Sequence, residues 1–420
     1  MLTLTLDEAI QRGLDRNVAA LRADAAVGVA AGRRWQALAA LLPTATVEAS
    51  AVRQKINLAA FGFSAPGFPD VIGPFNVFDG RLRVSQTVID RGALDLARSE
   101  AERLTAARHD EEDARRLVAL VVTTLYVNAV SSASRVEAGR AEVESARTLA
   151  GLADDLMGAG LTPQIDVLRA QVQLETAEQR QIALENALER NKLTLSQAIG
   201  VTPATTELQL SDRLDYAPTP AITLTEGLAR ATRDRADAQA AAARVNAAER
   251  ELRARREDRL PSVEVHGEYG AIGNTVGQAR PTFAAGASVS VPIGDARTHG
   301  RIVEAEADLR RARAEADDLA RQIEVDVQAA LLDLGAAERQ VQVATHTVQL
   351  AADQQEQAAD RFKAGVTNNV EVVQAQAAVA AANDALVAGH SAYQLARAAL
   401  ARALGIPETA FRRFLAGTQP

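Results

Sequence analysis

Residues 4–17 read LTLDEAIQRGLDRN, and residues 222–235 read ITLTEGLARATRDR. The likeness runs on to ALLPTATVEAS, ending at Ser50, and DRLPSVEVHGE, ending at Glu268. The offset stays at 218, so Leu42-Pro43 meets Leu260-Pro261. A second ungapped match lays Val84–Gly200 on Val289–Gly405 at an offset of 205, bringing Asp90 onto Asp295, Gly160 onto Gly365 and Gly200 onto Gly405. Chance does not give two ungapped matches of this length, and the chain is a duplication. The fall of 13 in the offset puts an insertion in the first copy, centred on residues 59–79, rich in Phe, Gly and Pro and a candidate external loop. The organisation expected is a first repeat over 1–203, a linker over 204–221, a second repeat over 222–408 and a tail over 409–420.

Each copy reads helix, β-hairpin, very long helix, turn, helix. The first helices are expected at 18–42 and 236–260, the hairpins at 44–90 and 262–293, the long helices at 91–158 and 296–363, and the last helices at 164–199 and 369–404. Asp90 and Asp295 stand where N-caps belong. A helix of that length reaches about 100 Å at 1.5 Å per residue, beyond any globular domain, so it needs partners along its length. The heptads supply them. Val327, Leu334, Val341 and Val348 recur every seven residues, interleaved with Ala330, Ala337, Ala344, Ala351 and Ala358. Val122, Ala129, Val136, Val143, Ala150 and Met157 repeat the seam in the first copy. A period of seven implies left-handed supercoiling, with alanines letting helices approach closely. Two short helices stacked end to end match one long one, and residues 1–17, 201–221 and 405–420 are expected to form a belt.

The hairpins carry a period of two. Val263, Val265, Gly267 and Tyr269 alternate with Glu264, His266 and Glu268, and Val47, Ala49 and Ala51 with Thr46, Glu48 and Ser50. Strands of about ten residues with one apolar and one polar face fit a transmembrane β-barrel with a wet lumen. Alternation alone fits a half-buried soluble sheet as well. Closure adds a constraint: four strands are too few to close around water, and open edges cannot face lipid. If the strands span a membrane, several chains share one barrel, and three copies give twelve strands.

Composition agrees with long helices. The 420 residues include 89 alanines but only 14 aromatics, fewer than the core of an enzyme this size normally holds. There is no cysteine, which excludes disulfides, thiolate metal sites and cysteine nucleophiles. The net charge of −8, with basic residues dispersed, argues against a nucleic-acid partner. The histidines (His109, His266, His299, His346, His390) stand far apart, and there is neither an H-E-x-x-H nor a phosphate-binding glycine motif. No catalytic, cofactor-binding or metal-binding residue is expected. Asp154-Asp155 and Asp317-Asp318 read as solvated helix faces. The uncharged run Leu117–Ser134 holds Thr, Asn and Ser and is not read as a transmembrane helix. Met1 leads into LTLDEA with no signal-peptide pattern, so the expectation is either a cytosolic chain or numbering that starts at a mature or miscalled N-terminus.

With both repeats in view, the chain resembles the TolC family of outer-membrane efflux and secretion channels. The resemblance covers nearly the whole chain. It rests on the two-copy order, the Leu-Pro pairs, and the tip segments GLTPQIDVLRAQ from Gly160 and GVTNNVEVVQAQ from Gly365. It implies a mainly α fold: duplicated long coiled-coil helices forming a trimeric helical barrel across the periplasm, and two hairpins per chain sharing a 12-stranded barrel in the outer membrane. The function implied is the exit duct of a tripartite efflux or type I secretion system. Its expected partners are two further copies of the chain, a periplasmic adaptor (membrane fusion) protein, an inner-membrane transporter of RND, ABC or MFS type, and outer-membrane lipid.

The resemblance also nominates residues. Gly160, Leu161 and Thr162, with Gly365, Val366 and Thr367, form the turns expected to dock the adaptor. Val370, Glu371, Gln374, Asp166 and Arg169 are the expected periplasmic constriction, where an inward Glu371 gives three carboxylates about the axis and attracts cations. Two departures stand out. Some members lock the tip with a Tyr and an Arg bonded to the position of Asp166, and here those places hold Phe362 and Thr367. Many members carry an acid three residues after Glu371, where this chain has Gln374. The rival readings are a soluble coiled-coil scaffold, which leaves the amphipathic hairpins unexplained, and a periplasmic adaptor, which should not be duplicated end to end.

Overall fold

The computed structural model describes residues 2–63, 66–67, 69–202, 206–212, 216, 218, 221–293 and 296–415. The order is β1 (Leu2–Leu4), α1 (Leu6–Arg16), α2 (Val18–Ala39), β2 (Thr44–Asn57), β3 (Val71–Ile89), α3 (Arg91–Gly158), α4 (Gln164–Ala198), β4 (Leu208–Leu210), α5 (Leu224–Asp234), α6 (Ala236–Glu257), β5 (Ser262–Gly273), β6 (Arg280–Ser290), α7 (Ala296–Lys363), α8 (Asn369–Ala403) and α9 (Glu408–Leu415). The fold is mainly helical with a small strand part, and α3 and α7 are 68 residues each.

The caps show why the elements begin where they do. Thr5 Oγ1 accepts from Glu8 N while Glu8 Oε2 accepts from Thr5 N, a capping box, and Thr223 with Glu226 repeats it at the head of α5. Asp90 Oδ1 accepts from Ala93 N at 2.8 Å and opens α3. Its counterpart Asp295 and the loop residue Phe68 lie outside the described residues.

Two units make up the chain. One comprises Met1–Ala26, Arg108–Ala240 and Asp317–Pro420. Its main core gathers Ile10 and Leu14 of α1, Val118, Val122 and Tyr126 of α3, Leu195, Val327, Leu400 and Leu404, all 5% exposed or less. Gly13 allows α1 to approach α3, since a Cβ there would stand 2.7 Å from Val122 Cγ2. The uncharged stretch of α3 is apolar and long enough to cross a membrane by composition, yet 56% of that window is buried. Its residues Val118, Val122 and Tyr126 belong to this core. The Tyr126 hydroxyl lies 2.9 Å from Leu4 O and 3.0 Å from Asp212 Oδ2, its one proton shared between them. Burial, then the Asp212 charge, holds the phenol above its ordinary value. β1 and β4 pair in parallel, Leu2 against Leu208.

Along α7 the seam is alanine-lined: Val327, Ala330, Ala337, Val341, Ala344, Ala351 and Ala358 are all buried. Each methyl removed from water contributes only about 0.8 kcal/mol, so stability accumulates with length rather than at one centre. In α3 the buried stripe drifts, from Val136 to Ala146, Leu149 and Ala153, while Val143, Ala150 and Met157 are half-buried. A straight helix turns 3.6 residues per cycle and slides off a strict period of seven.

The other unit comprises Val27–Ala107 and Ala241–Ala316. It holds an antiparallel sheet in the order β2-β3-β5-β6. On one face the rows Ala45–Val84–Gly267–Ala285 and Val47–Leu82–Tyr269–Phe283 are apolar. The opposite face is polar: Arg83 pairs with Glu48 at 2.6 Å and with Glu268 at 3.2 Å, and Arg81 with Asp79 at 2.7 Å and Glu268 at 2.5 Å. The helical segments close over Leu252, Ile302, Ala305 and Leu309.

One expectation needs correction. Residues 71–79, read as part of an external loop, belong to β3. Gly73-Pro74 looks like a breaker in sequence, but here it makes a bulge between Gln54 and Ile56. Gly73 takes φ +112°, and a Cβ there would stand 2.8 Å from Gln54 O.

Candidate functional site

The site is the end of the helical unit where α3 turns into α4 and α7 into α8. Both turns are Schellman motifs. Gly160, at φ +73°, donates to Met157 O, and Leu161 N donates to Leu156 O. Gly365, at φ +70°, donates to Phe362 O, and Val366 N to Arg361 O. Beneath them pack Leu149, Ala153, Val167, Ala170, Ala358, Phe362, Val372 and Ala375.

The structure divides the expected site residues into distinct environments. Leu161 and Val366 are 73% and 70% exposed, and Thr162 and Thr367 are half-buried. Asp166 is 2% exposed. Its carboxylate accepts from Thr162 Oγ1 and from Arg169 Nη1, each at 2.9 Å, and Thr162 thereby ties the turn to the first turn of α4. Glu371 lies instead at the partly exposed start of α8, where Arg361 Nη1 from α7 is 3.5 Å away. With side chains 57% and 42% exposed, that pair is worth at most about 1 kcal/mol. Val370 and Gln374 join Ile165, Leu168, Arg169 and Val172 around an apolar groove between α4 and α8. Phe362 is 3% exposed, within the cluster beneath the turns.

Sequence reasoning missed Asn369 and Arg361. Asn369 is fully buried, and its Nδ2 donates to the backbone carbonyl of Asp166 at 2.6 Å. Its Oδ1 has no hydrogen-bond partner among the described residues. The signal was available: Asn369, Val372 and Gln376 fall at i, i+3 and i+7, a helix's buried stripe. Further along, Gln376 Nε2 donates to Ser145 Oγ at 2.9 Å, Gln355 Nε2 reaches the same oxygen at 3.1 Å, and Arg180 of α4 bridges Glu142 of α3 and Asp384 of α8. Polar links therefore join both helical hairpins. Among the described residues no cluster of metal-ligating side chains occurs.

The sequence profile described as outer membrane efflux protein matches residues 7–201 and 228–406. The chain belongs to that family. No curated relative matches the sequence. The fold of this efflux protein is shared with solved outer-membrane channels. CmeC of Campylobacter jejuni is 18% identical, with a TM-score of 0.82 over 99% of this chain and 90% of that one. VceC of Vibrio cholerae is 20% identical, with a TM-score of 0.80 over 95% and 96%. The open state of MtrE of Neisseria gonorrhoeae is 17% identical, with a TM-score of 0.81 over 95% and 88%. Family membership makes this an outer-membrane efflux channel protein with periplasmic helices, not an enzyme, working with an adaptor and an inner-membrane pump.

Proposed function

We propose that three copies of this efflux protein form one conduit, their strands closing a twelve-stranded barrel and their helices a periplasmic tunnel gated at its tip. One observation carries the reading: the four-stranded sheet, apolar on one face, ends on β2 and β6, which have no further strand partner among the described residues. In hydrocarbon each unpaired backbone group costs several kcal/mol, and four strands cannot close around water. Neighbouring copies supply the missing partners.

In this reading the gate comprises Val370, Glu371 and Gln374 with the Asp166–Arg169 pair behind them, and the exposed Leu161 and Val366 dock the adaptor with Gly160, Thr162, Gly365 and Thr367. The repeats over 1–203 and 222–408 each contribute one helical column pair and one hairpin. The test is the protein mass of the particle extracted from outer membranes. A mass of three chains, soluble only in detergent, is the expected result. A monomer or dimer soluble without detergent would sink the conduit.

A further inference from the structure

We propose that Arg53 and Lys55 bind phosphate groups of the outer-leaflet lipid surrounding the barrel. The inference rests on the conduit reading, in which the apolar face of the sheet meets lipid and the hairpin ends away from the helices point outward. Along β2 that face carries Ala45, Val47, Ala49 and Ala51, opposite Val84, Leu82, Gly80 and Phe78. The next row is Arg53 opposite Asn76, and Lys55 continues the alternation. The apolar band therefore stops at Ala51–Phe78, and the first charges beyond it are two cations.

Their lack of partners separates them from the two arginines of the polar face. Arg81 and Arg83, on the polar face, are each held by two carboxylates. Arg53 and Lys55 are exposed, and no ion pair or side-chain hydrogen bond holds either one among the described residues. Lys55 sits in the bulge opposite Gly73, without a register partner. Residues two apart on a strand stand about 7 Å from each other on one face, a span that one or two phosphate groups fill. The long apolar stems can lie along the band while the charged heads reach the headgroup level, and guanidinium and ammonium both make charge-assisted hydrogen bonds to phosphate oxygens. A mobile anion in solution has no reason to sit at the edge of an apolar band; a lipid phosphate is held there by its acyl chains.

The experiment follows thermal melting of the full chain, extracted in detergent, with added bis-phosphorylated lipid A, with the same lipid stripped of phosphates, and with inorganic phosphate. The phosphorylated lipid should raise the melting temperature and the other two should not. The double variant Arg53→Gln/Lys55→Gln should melt as the parent does in detergent alone but lose most of the lipid-induced shift, and Arg53→Lys/Lys55→Arg should retain it. An equal shift from dephosphorylated lipid, from inorganic phosphate, or in the Gln variant would overturn the proposal while leaving the channel intact. A parent chain soluble without detergent would overturn both readings together.

Discussion

The side-chain amide of Asn369 donates to the backbone carbonyl of Asp166 at 2.6 Å, from the first turn of α8 to the first turn of α4. The two helical hairpins of the chain are thereby tied at their tips by a bond with no exposed atoms on the Asn369 side. Replacing Asn369 by Ala removes that bond, leaving the carbonyl only its place in the α4 ladder, which should cost about 0.5–1.5 kcal/mol and lower the melting temperature. Asn369→Asp should cost more, because it turns an acceptor toward an acceptor in a buried place. In planar bilayers, Asn369→Ala channels should spend longer in their open level. Unchanged open times would confine Asn369 to stability.

Glu371 and Arg361 offset each other across α8 and α7 at 3.5 Å. In the gate reading, Glu371→Ala should widen cation passage or weaken block by divalent cations, while Arg361→Gln should strengthen cation preference by leaving the carboxylate alone. Reversal potentials in a salt gradient measure both. If Glu371→Ala leaves conductance and block as they were, Glu371 is no part of the gate.

The packing of α1 on α3 makes a separate prediction. A methyl added at Gly13 meets Val122 Cγ2 at 2.7 Å, and Val122 is itself fully buried. Gly13→Ala should therefore destabilise by about 1–3 kcal/mol through overpacking, even though alanine is the better helix former. A combined Gly13→Ala/Val122→Ala variant should recover part of the loss in a melting experiment.

Arg235 sets up an acid limit on stability. It donates to Asp237 at 2.6 Å and to Asp326 at 2.9 Å. Burial pushes the Asp237 carboxyl up, but the Arg235 guanidinium outweighs it, leaving the group below the ordinary carboxylate range. A depressed acid stabilises above its unfolded pKa and loses that contribution as pH falls through the folded value. The melting temperature should decline as pH drops below about 4, and Asp237→Asn should flatten part of that decline. Parallel profiles for both proteins would dissociate Asp237 from it.

Much of this was legible because the controlling signals are local. Thr5-x-x-Glu8 and Thr223-x-x-Glu226 specify caps, Gly160 and Gly365 specify stops, and the steps from Val327 to Ala358 specify a buried stripe. The start of β3 was not legible, since Gly73-Pro74 carries the marks of a turn and is a bulge inside a strand. Nor was the partner of Glu371: Arg169 lies close in sequence to one acid, Asp166, whereas Arg361 reaches Glu371 across a turn. Asn369 was overlooked because a polar residue beside Asn368 reads as a second cap. Its place on one helix face with Val372 and Gln376 was the signal that marked it as buried.

The two open edges of the sheet also bear on how cells acquire the channel. In the conduit reading, a chain whose β2 and β6 have no further strand partner among the described residues is unfinished in its hydrogen bonding, so entering the bilayer and meeting its neighbours become one event. The rate of insertion should then rise steeply with subunit supply rather than in proportion to it. A single copy with a crippled edge strand, co-expressed with sound ones, would poison every ring it joined. Loss of function in such a protein is expected to be dominant when it strikes the edges, and recessive when it strikes the tip.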